Sequence, residues 1–401
     1  LSTKGSLSIR KLPGKVGVLE AFLKKKPLLG HLGISHTRWS THGEPNQVNA
    51  HPHLDCKNEV AIVHNGIIEN YLQLKEQLIK EKHRFISQTD TEVIVHLIEK
   101  FYVNSSLEKA VRQAISKLAG SFAIAVISKK EPDKLIGVRC GSSLIVGVGK
   151  GENFLASDVP ALLDATKEVI FLEENEMAVL TKDKVEITTF SGVAVKREAA
   201  TITWDVSQAQ KGGFPHFMLK EINEQPAVLE NMLKQRILKD RPEVFFEELK
   251  ISQEALSAIK NIVVVACGTA YHAGLCGRYI LEELCKISLS VDLSSEFRYR
   301  NPLVDKDTLI IAISQSGETA DTLAAVREAK KKQAKILAIC NVLGSSLTRE
   351  CDGVIYTHAG PEIGVASTKA YTAQLAILYL LALYLADIRK TIDYSAKSNL
   401  I

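Results

Sequence analysis

Leu309-Ile310-Ile311-Ala312-Ile313-Ser314-Gln315-Ser316-Gly317-Glu318-Thr319 decides the fold of the second half of this chain. Its first five residues are apolar with no polar alternation, as in a strand buried on both faces. A turn with three hydroxyls and a glycine follows, and helical spacing runs from about Thr319 to Lys332. Strand, polar turn and helix in direct succession build parallel sheets. The same rhythm lies on either side. Ile262 to Ala266 is a strand followed by Cys267-Gly268-Thr269 and a helix, and Ile336 to Cys340 and Val354 to Thr357 are further strands. The last leads through Glu362-Ile363-Gly364-Val365-Ala366-Ser367-Thr368-Lys369 to a helix ending near Ala386. The expected fold is α/β, with a doubly wound parallel sheet.

The first half reads differently. Val60 to Val63 is a short strand entering a His64-Asn65-Gly66 turn. Helical spacing then links Ile68, Leu72 and Ile79, next Val93, Leu97 and Phe101, and next Leu107, Val111, Ile115 and Leu118, with Ser106 placed as a cap. Seven short strands follow: Phe122 to Ser128, Leu135 to Arg139, Leu144 to Gly149, Asn153 to Ser157, Val169 to Leu172, Met177 to Thr181 and Val185 to Phe190. Helices and then a run of mostly antiparallel strands indicate an α+β domain. Residues 205–226 hold Gly212, Gly213, Pro215 and Pro226 without a sustained period, and are expected to link a domain over 1–204 to one over 227–401.

With 46% hydrophobic and 24% charged residues, the 401-residue chain reads as a globular protein of two or three domains. Its net charge is only +4, and Lys24–Lys26 and Lys330–Lys332 are its sole short basic runs. They suit helix C-termini, so nucleic-acid binding is not expected. Seven cysteines without a C-x-x-C pair argue for free thiols in a reducing, cytoplasmic setting. No signal peptide opens the sequence, and Leu375 to Ala386 is too short to span a bilayer. No membrane association is therefore expected.

Several residues carry chemistry. Hydroxyls of Ser314, Ser316 and Thr319, with open amides at a helix start, can cradle a phosphate, and no Walker pattern accompanies them. The plainer reading is an ordinary β–α turn with a threonine cap. Six of the eleven histidines (His31, His36, His42, His51, His53 and His64) lie within one stretch. This raises a metal hydrolase as a rival, although no Asp or Glu cluster completes a ligand set there. Alternatively, Arg38 in His36-Thr37-Arg38-Trp39-Ser40-Thr41-His42-Gly43 suits a carboxylate, and Asn65-Gly66 suits an oxyanion. Asp90 suits an α-ammonium group, or simply caps the helix after it.

These segments, together with Ser294-Ser295-Glu296-Phe297-Arg298-Tyr299-Arg300, resemble the glucosamine-6-phosphate synthases. The resemblance implies part of an N-terminal-nucleophile glutaminase domain followed by a first sugar isomerase (SIS) domain. It implies Ser314, Gln315, Ser316 and Thr319 on the phosphate of fructose 6-phosphate, with Thr269, Val365 and Ser367 lining the sugar. It implies Arg38 on the glutamine carboxylate with Thr41 and His42 nearby, Asp90 on the amino group, Asn65 and Gly66 on the oxyanion, and Trp39 at a channel gate. It also implies a homodimer, no metal and no organic cofactor. Two departures stand out. Ala270 replaces a serine common in that family, and the family's nucleophile, a cysteine at the mature N-terminus, does not open a sequence that starts at Leu1. The stretch stops at Ile401, before the second SIS domain, so by itself it is expected to be inactive. A non-catalytic module binding a sugar phosphate is the alternative.

Overall fold

The computed structural model describes residues 2–3, 6–38, 42–204, 206–238, 241 and 243–401. The chain divides into two units, Leu1–Thr201 and Ile202–Ile401.

The first unit opens with a ribbon of β1 (Ser2–Thr3) and β2 (Ser6–Leu7), then α1 (Val16–Lys25). Next come β3 (His53–Leu54), β4 (Val60–Ile68), α2 (Tyr71–Lys80), α3 (Thr91–Phe101) and α4 (Leu107–Ile115). Strands complete it: β5 (Gly120–Ser128), β6 (Leu135–Cys140), β7 (Ile145–Val148), β8 (Asn153–Ala156), β9 (Glu168–Phe171), β10 (Glu176–Leu180), β11 (Val185–Thr189), β12 (Ala194–Val195) and β13 (Ala200–Thr201). All pair antiparallel, in one sheet of order β12-β11-β10-β6-β5-β4-β3 and another of order β13-β9-β7-β8.

Side-chain alternation makes the layers. Val60 and Ile62 of β4, with Phe122, Ile124 and Val126 of β5, turn toward α3 and α4. Their neighbours Ala61, Ala123 and Ile127 turn toward Val146 and Ile170 of the second sheet and Leu172 just beyond it. A fully buried Ile62 or Ile124 contributes roughly 1.5–3 kcal/mol. Ser106 caps α4 as expected, its side chain accepting the Lys109 N–H at 3.3 Å.

Two local expectations fail. The His64-Asn65-Gly66 segment is not a turn: β4 runs on to Ile68, paired with β5 through Gly66↔Phe122. Gly66 stands at φ +119, and a Cβ there would lie 2.0 Å from Ser121 O, so glycine lets the strand continue against its neighbour. In α2 the buried face is Leu74 and Leu78, while Leu72 and Ile79 are exposed. The spacing counted from Ile68 is out of phase with the helix because Ile68 belongs to β4.

The second unit contains α5 (Phe217–Lys234), α6 (Gln253–Ser257), β14 (Asn261–Ala266), α7 (Gly268–Cys285), β15 (Ser288–Leu293) and α8 (Ser294–Tyr299). Then follow β16 (Thr308–Ser314), α9 (Ala320–Lys331), β17 (Lys335–Cys340), α10 (Ser346–Glu350), β18 (Gly353–Tyr356), α11 (Lys369–Arg389) and α12 (Tyr394–Leu400). The sheet is wholly parallel in the order β15-β14-β16-β17-β18. Val264, Ile311 and Leu337 face α7 and α11, while Val265, Ile310 and Ile336 face α9. Because β15 lies on one side of β14 and β16 on the other, the strand order reverses there, and in parallel sheets ligands bind at the strand carboxyl ends of such a point.

The expected linker is shorter than read, since residues 217–226 belong to α5. Pro226 cannot donate to Ile222 O, but the Gln225 side-chain amide does so at 3.0 Å, and Leu229, Met232 and Leu233 pack on the core. By length and composition the 21-residue α11 could cross a membrane, yet it is a core helix, with Ile377, Leu378 and Leu381 fully buried.

Candidate functional site

In the second unit, the turn leaving β16 is a frame of hydroxyls. Ser314 is buried; its Oγ accepts the Gly317 N–H at 3.0 Å and lies 2.9 Å from Thr319 Oγ1. Ser316 Oγ accepts the Glu318 N–H at 3.2 Å. Gly317 is at φ +68, and a Cβ there would meet Ser345 Oγ at 2.0 Å and Cys340 Sγ at 2.8 Å. Thr319 makes no side-chain cap to α9, because its hydroxyl is engaged by Ser314. Gln315 and Ser316 are half-buried.

The exit of β17, not singled out from sequence, braces this turn. Leu347 N–H donates to Gly317 O at 3.0 Å, and Ser346 N–H to Glu318 Oε1 at 2.8 Å. Asn341 joins the next loop to it, donating to Gly360 O at 2.7 Å and accepting from Ala359 N–H at 2.8 Å. Only polar residues at strand exits hinted at this.

The remaining sugar-site candidates are placed less tightly. Thr269 is exposed at the start of α7, whose Gly268 has φ +59. Ala270, at the position where the resembled family commonly has serine, is a core residue with 7% exposure. Val365 is 95% exposed, and Ser367 Oγ donates to Glu362 Oε2 at 2.8 Å. Their loop is anchored by Glu221 of α5, which accepts the N–H groups of Ile363 and Gly364 at 2.7 and 3.0 Å.

In the first unit, a cavity of about 1560 Å³ is lined by His36, Arg38, His51, His64 and Asn65, but not by His42 or Asp90. Arg38 braces its own loop, donating to the carbonyls of His42, Gly43 and Glu44. Asn65 Oδ1 lies 2.7 Å from His36 Nε2, which orients the amide so that its NH₂ group faces away. His36 in turn stacks on His51 with ring centroids 4.2 Å apart, and His51 Nδ1 accepts the His64 N–H at 3.3 Å.

Burial decides the charge of these imidazoles. Desolvation, with cationic neighbours, drives His51 far below its ordinary value, and it lowers His36 as well. Burial holds His53 down at about 3 and His64 at about 4. The stack is therefore neutral near pH 7 and scaffolds Asn65.

Asp90 precedes α3 but does not cap it; the carboxylate accepts the Ile68 N–H at 2.9 Å and lies 3.9 Å from His42 Nδ1. His42 also meets the edge of Tyr71 at 5.2 Å. Trp39 and Thr41 lie outside the described residues. None of the seven free cysteines lines the cavity.

Residues 36–164 match the glutamine amidotransferase domain family, and residues 255–384 match the SIS domain family. The chain is 52% identical to the glutamine–fructose-6-phosphate aminotransferase (isomerizing) of Clostridium tetani over 96% of its own length and 63% of that protein's. Against the Thermotoga maritima protein of the same name, identity is 50% over 98% of this chain and 65% of the other. A solved C-terminal domain of the aminotransferase from Francisella tularensis is 42% identical, with a TM-score of 0.45, over 47% of this chain and 53% of that one. The chain thus spans less than two thirds of the length of the curated relatives it matches. An antiparallel unit that matches the glutamine amidotransferase domain family is thus followed by a parallel sheet that matches the SIS domain family, and along nearly its whole length the chain is similar to the glutamine–fructose-6-phosphate aminotransferases.

Proposed function

We propose that this chain serves the transfer of the glutamine amide nitrogen to fructose 6-phosphate and its isomerisation to glucosamine 6-phosphate. The observation that carries the reading is the pairing, in one chain, of a guanidinium and an oriented amide on a cavity with a hydroxyl-lined turn at a sheet's switch point.

On this reading Arg38 grips the glutamine α-carboxylate with parallel hydrogen bonds, and Asp90 pairs with its ammonium. Asn65 Nδ2 and the Gly66 N–H stabilise the tetrahedral oxyanion. His36 fixes Asn65 from behind, a positioning role that the sequence did not suggest. His42 sits beside Asp90, and the roles that the resemblance implies for Thr41 and Trp39 fall outside the described residues. The thiolate that attacks the amide belongs to the N-terminal cysteine implied by the family resemblance. The ammonia released reacts with the ketose held by Ser314, Gln315, Ser316 and Thr319, with Thr269, Val365 and Ser367 about the sugar. The chemistry calls for no metal or organic cofactor. The proposed domains are 1–204 and 227–401, the second extended back to Phe217 by α5, and the proposed setting is cytoplasmic, homodimeric in the complete protein, and free of nucleic acid and membrane.

The test follows the amide nitrogen. Protein from the native source, given ¹⁵N-amide glutamine and fructose 6-phosphate, should yield ¹⁵N-labelled glucosamine 6-phosphate, and Arg38→Ala should raise the glutamine requirement by about 100-fold. Fructose 6-phosphate binding without labelled product would favour the non-catalytic module.

A further inference from the structure

Cys56, His83, His96 and Glu99 are scattered in the sequence and converge in the first unit. Cys56 lies in the turn between β3 and β4, His83 follows α2, and His96 and Glu99 stand one turn apart on α3. Their donor atoms all lie within 4.8 Å of one another. Cys56 Sγ is 3.7 Å from His96 Nδ1 and 4.0 Å from His83 Nδ1. Glu99 Oε2 is 2.9 Å from His83 Nδ1 and 3.2 Å from His96 Nδ1. Bonds of about 2.0–2.3 Å to a tetrahedral zinc set donors roughly 3.3–3.8 Å apart, the range these separations straddle.

We propose that Cys56, His83, His96 and Glu99 hold one zinc ion in a closed structural site that pins the β3–β4 turn and the segment after α2 to α3.

Hydrogen bonding alone serves this cluster poorly. Two imidazole nitrogens and the Cys56 N–H, at 3.3 Å, converge on the single oxygen Glu99 Oε2. A cation among them turns that crowding into coordination. One thiolate and one carboxylate balance the charge of Zn²⁺, two neutral imidazoles complete the tetrahedron, and the thiol proton leaves to solvent. Sulfur and imidazole donors favour zinc over magnesium or calcium.

The surroundings match a metal site as well. His96 Nε2 faces Glu92 Oε1 at 3.7 Å, on the side of the ring away from the cluster. Glu92 is itself held by the N–H groups of Ile86 and Ser87 at 2.8 and 2.7 Å and by Ser87 Oγ at 2.6 Å. At that distance the carboxylate makes no hydrogen bond to the ring, but its negative charge raises the basicity of the imidazole as a ligand. Arg84 N–H points at Cys56 Sγ from 3.3 Å, and Cys56 is exposed, so an ion can enter from solvent. Four protein donors leave no open position, which makes the role structural. The helix so fixed is the one that Asp90 precedes.

The test uses zinc alone. Protein kept reduced, equilibrated with excess zinc and desalted should carry one zinc per chain by mass spectrometry, and Cys56→Ser and His83→Asn should each retain less than a tenth of that. Cobalt in place of zinc should give a near-ultraviolet thiolate-to-metal band, absent from Cys56→Ser, and chelation should lower the Tm of the wild type but not of Cys56→Ser. Wild-type protein that retains no stoichiometric zinc, or a cobalt–thiolate band that survives Cys56→Ser, would overturn the assignment.

Discussion

The two halves of the molecule assemble their candidate sites in opposite ways. In the second unit, Ser314, Ser316, Gly317 and Thr319 lie within six consecutive residues, and the turn organises itself through Ser314 Oγ. In the first unit, Arg38, Asn65 and Asp90 come from three separate segments, and each is placed by a residue outside its own segment or by loop carbonyls. A local site survives many changes elsewhere in its domain. A dispersed one depends on the strand register and on the buried groups behind it.

The sharpest break of that contrast compares two glycines. Gly66→Ala drives a Cβ into the backbone oxygen of Ser121 at positive φ, and should destabilise the first unit by about 3–5 kcal/mol in urea unfolding. Gly317→Ala meets side-chain atoms of Ser345 and Cys340 and should cost only about 1–3 kcal/mol. Equal costs would mean that the β4–β5 register yields as readily as a turn.

Acid should separate the units next. His53 and His64 titrate below their unfolded value of about 6.5, so the unfolded chain binds more protons as the pH falls beneath it. Stability is intact above pH 6.5 and declines on acidification toward the folded values of about 3 and 4, by up to about 1.4 kcal/mol per pH unit for each imidazole. His96, raised by Glu92 and Glu99 against its burial, offsets part of this. In the second unit the imidazole that burial pushes the same way is the exposed His358. Hydrogen exchange from pH 7 to 5 should show the first unit opening first.

Smaller effects sharpen the picture. Thr319→Ala should weaken fructose 6-phosphate binding about 10-fold in calorimetry while leaving the fold intact. Ser106→Ala, which loses the cap of α4, should cost about 1 kcal/mol without touching either ligand.

Legibility in the sequence follows the same division. Longer strands such as β5, β14 and β16 are legible because alternation in the first and continuous apolar runs in the other two follow strand geometry, whereas β3, β12, β13 and the edge strand β15 are not. The Ser314 to Thr319 turn is legible because its hydroxyl network closes among its own neighbours, while the bracing by Ser346 and Leu347 is not. The extension of β4 through Gly66 was not, since it depends on a carbonyl of β5, more than fifty residues later. Nor were His36 behind Asn65, Glu221 under the Ile363-Gly364 amides, or the Cys56–His83–His96–Glu99 cluster, because pairing across a fold leaves no spacing to count. Within α5, Pro226 hid a helix whose lost hydrogen bond the Gln225 side chain replaces.

The most direct measurement is a calorimetric titration of fructose 6-phosphate into the chain, with the Ser316→Ala/Thr319→Ala double variant beside it. The account predicts one saturable site per chain, weakened at least about 100-fold in the double variant. A folded wild-type chain with no saturable heat, or a double variant that binds as the wild type does, would contradict it.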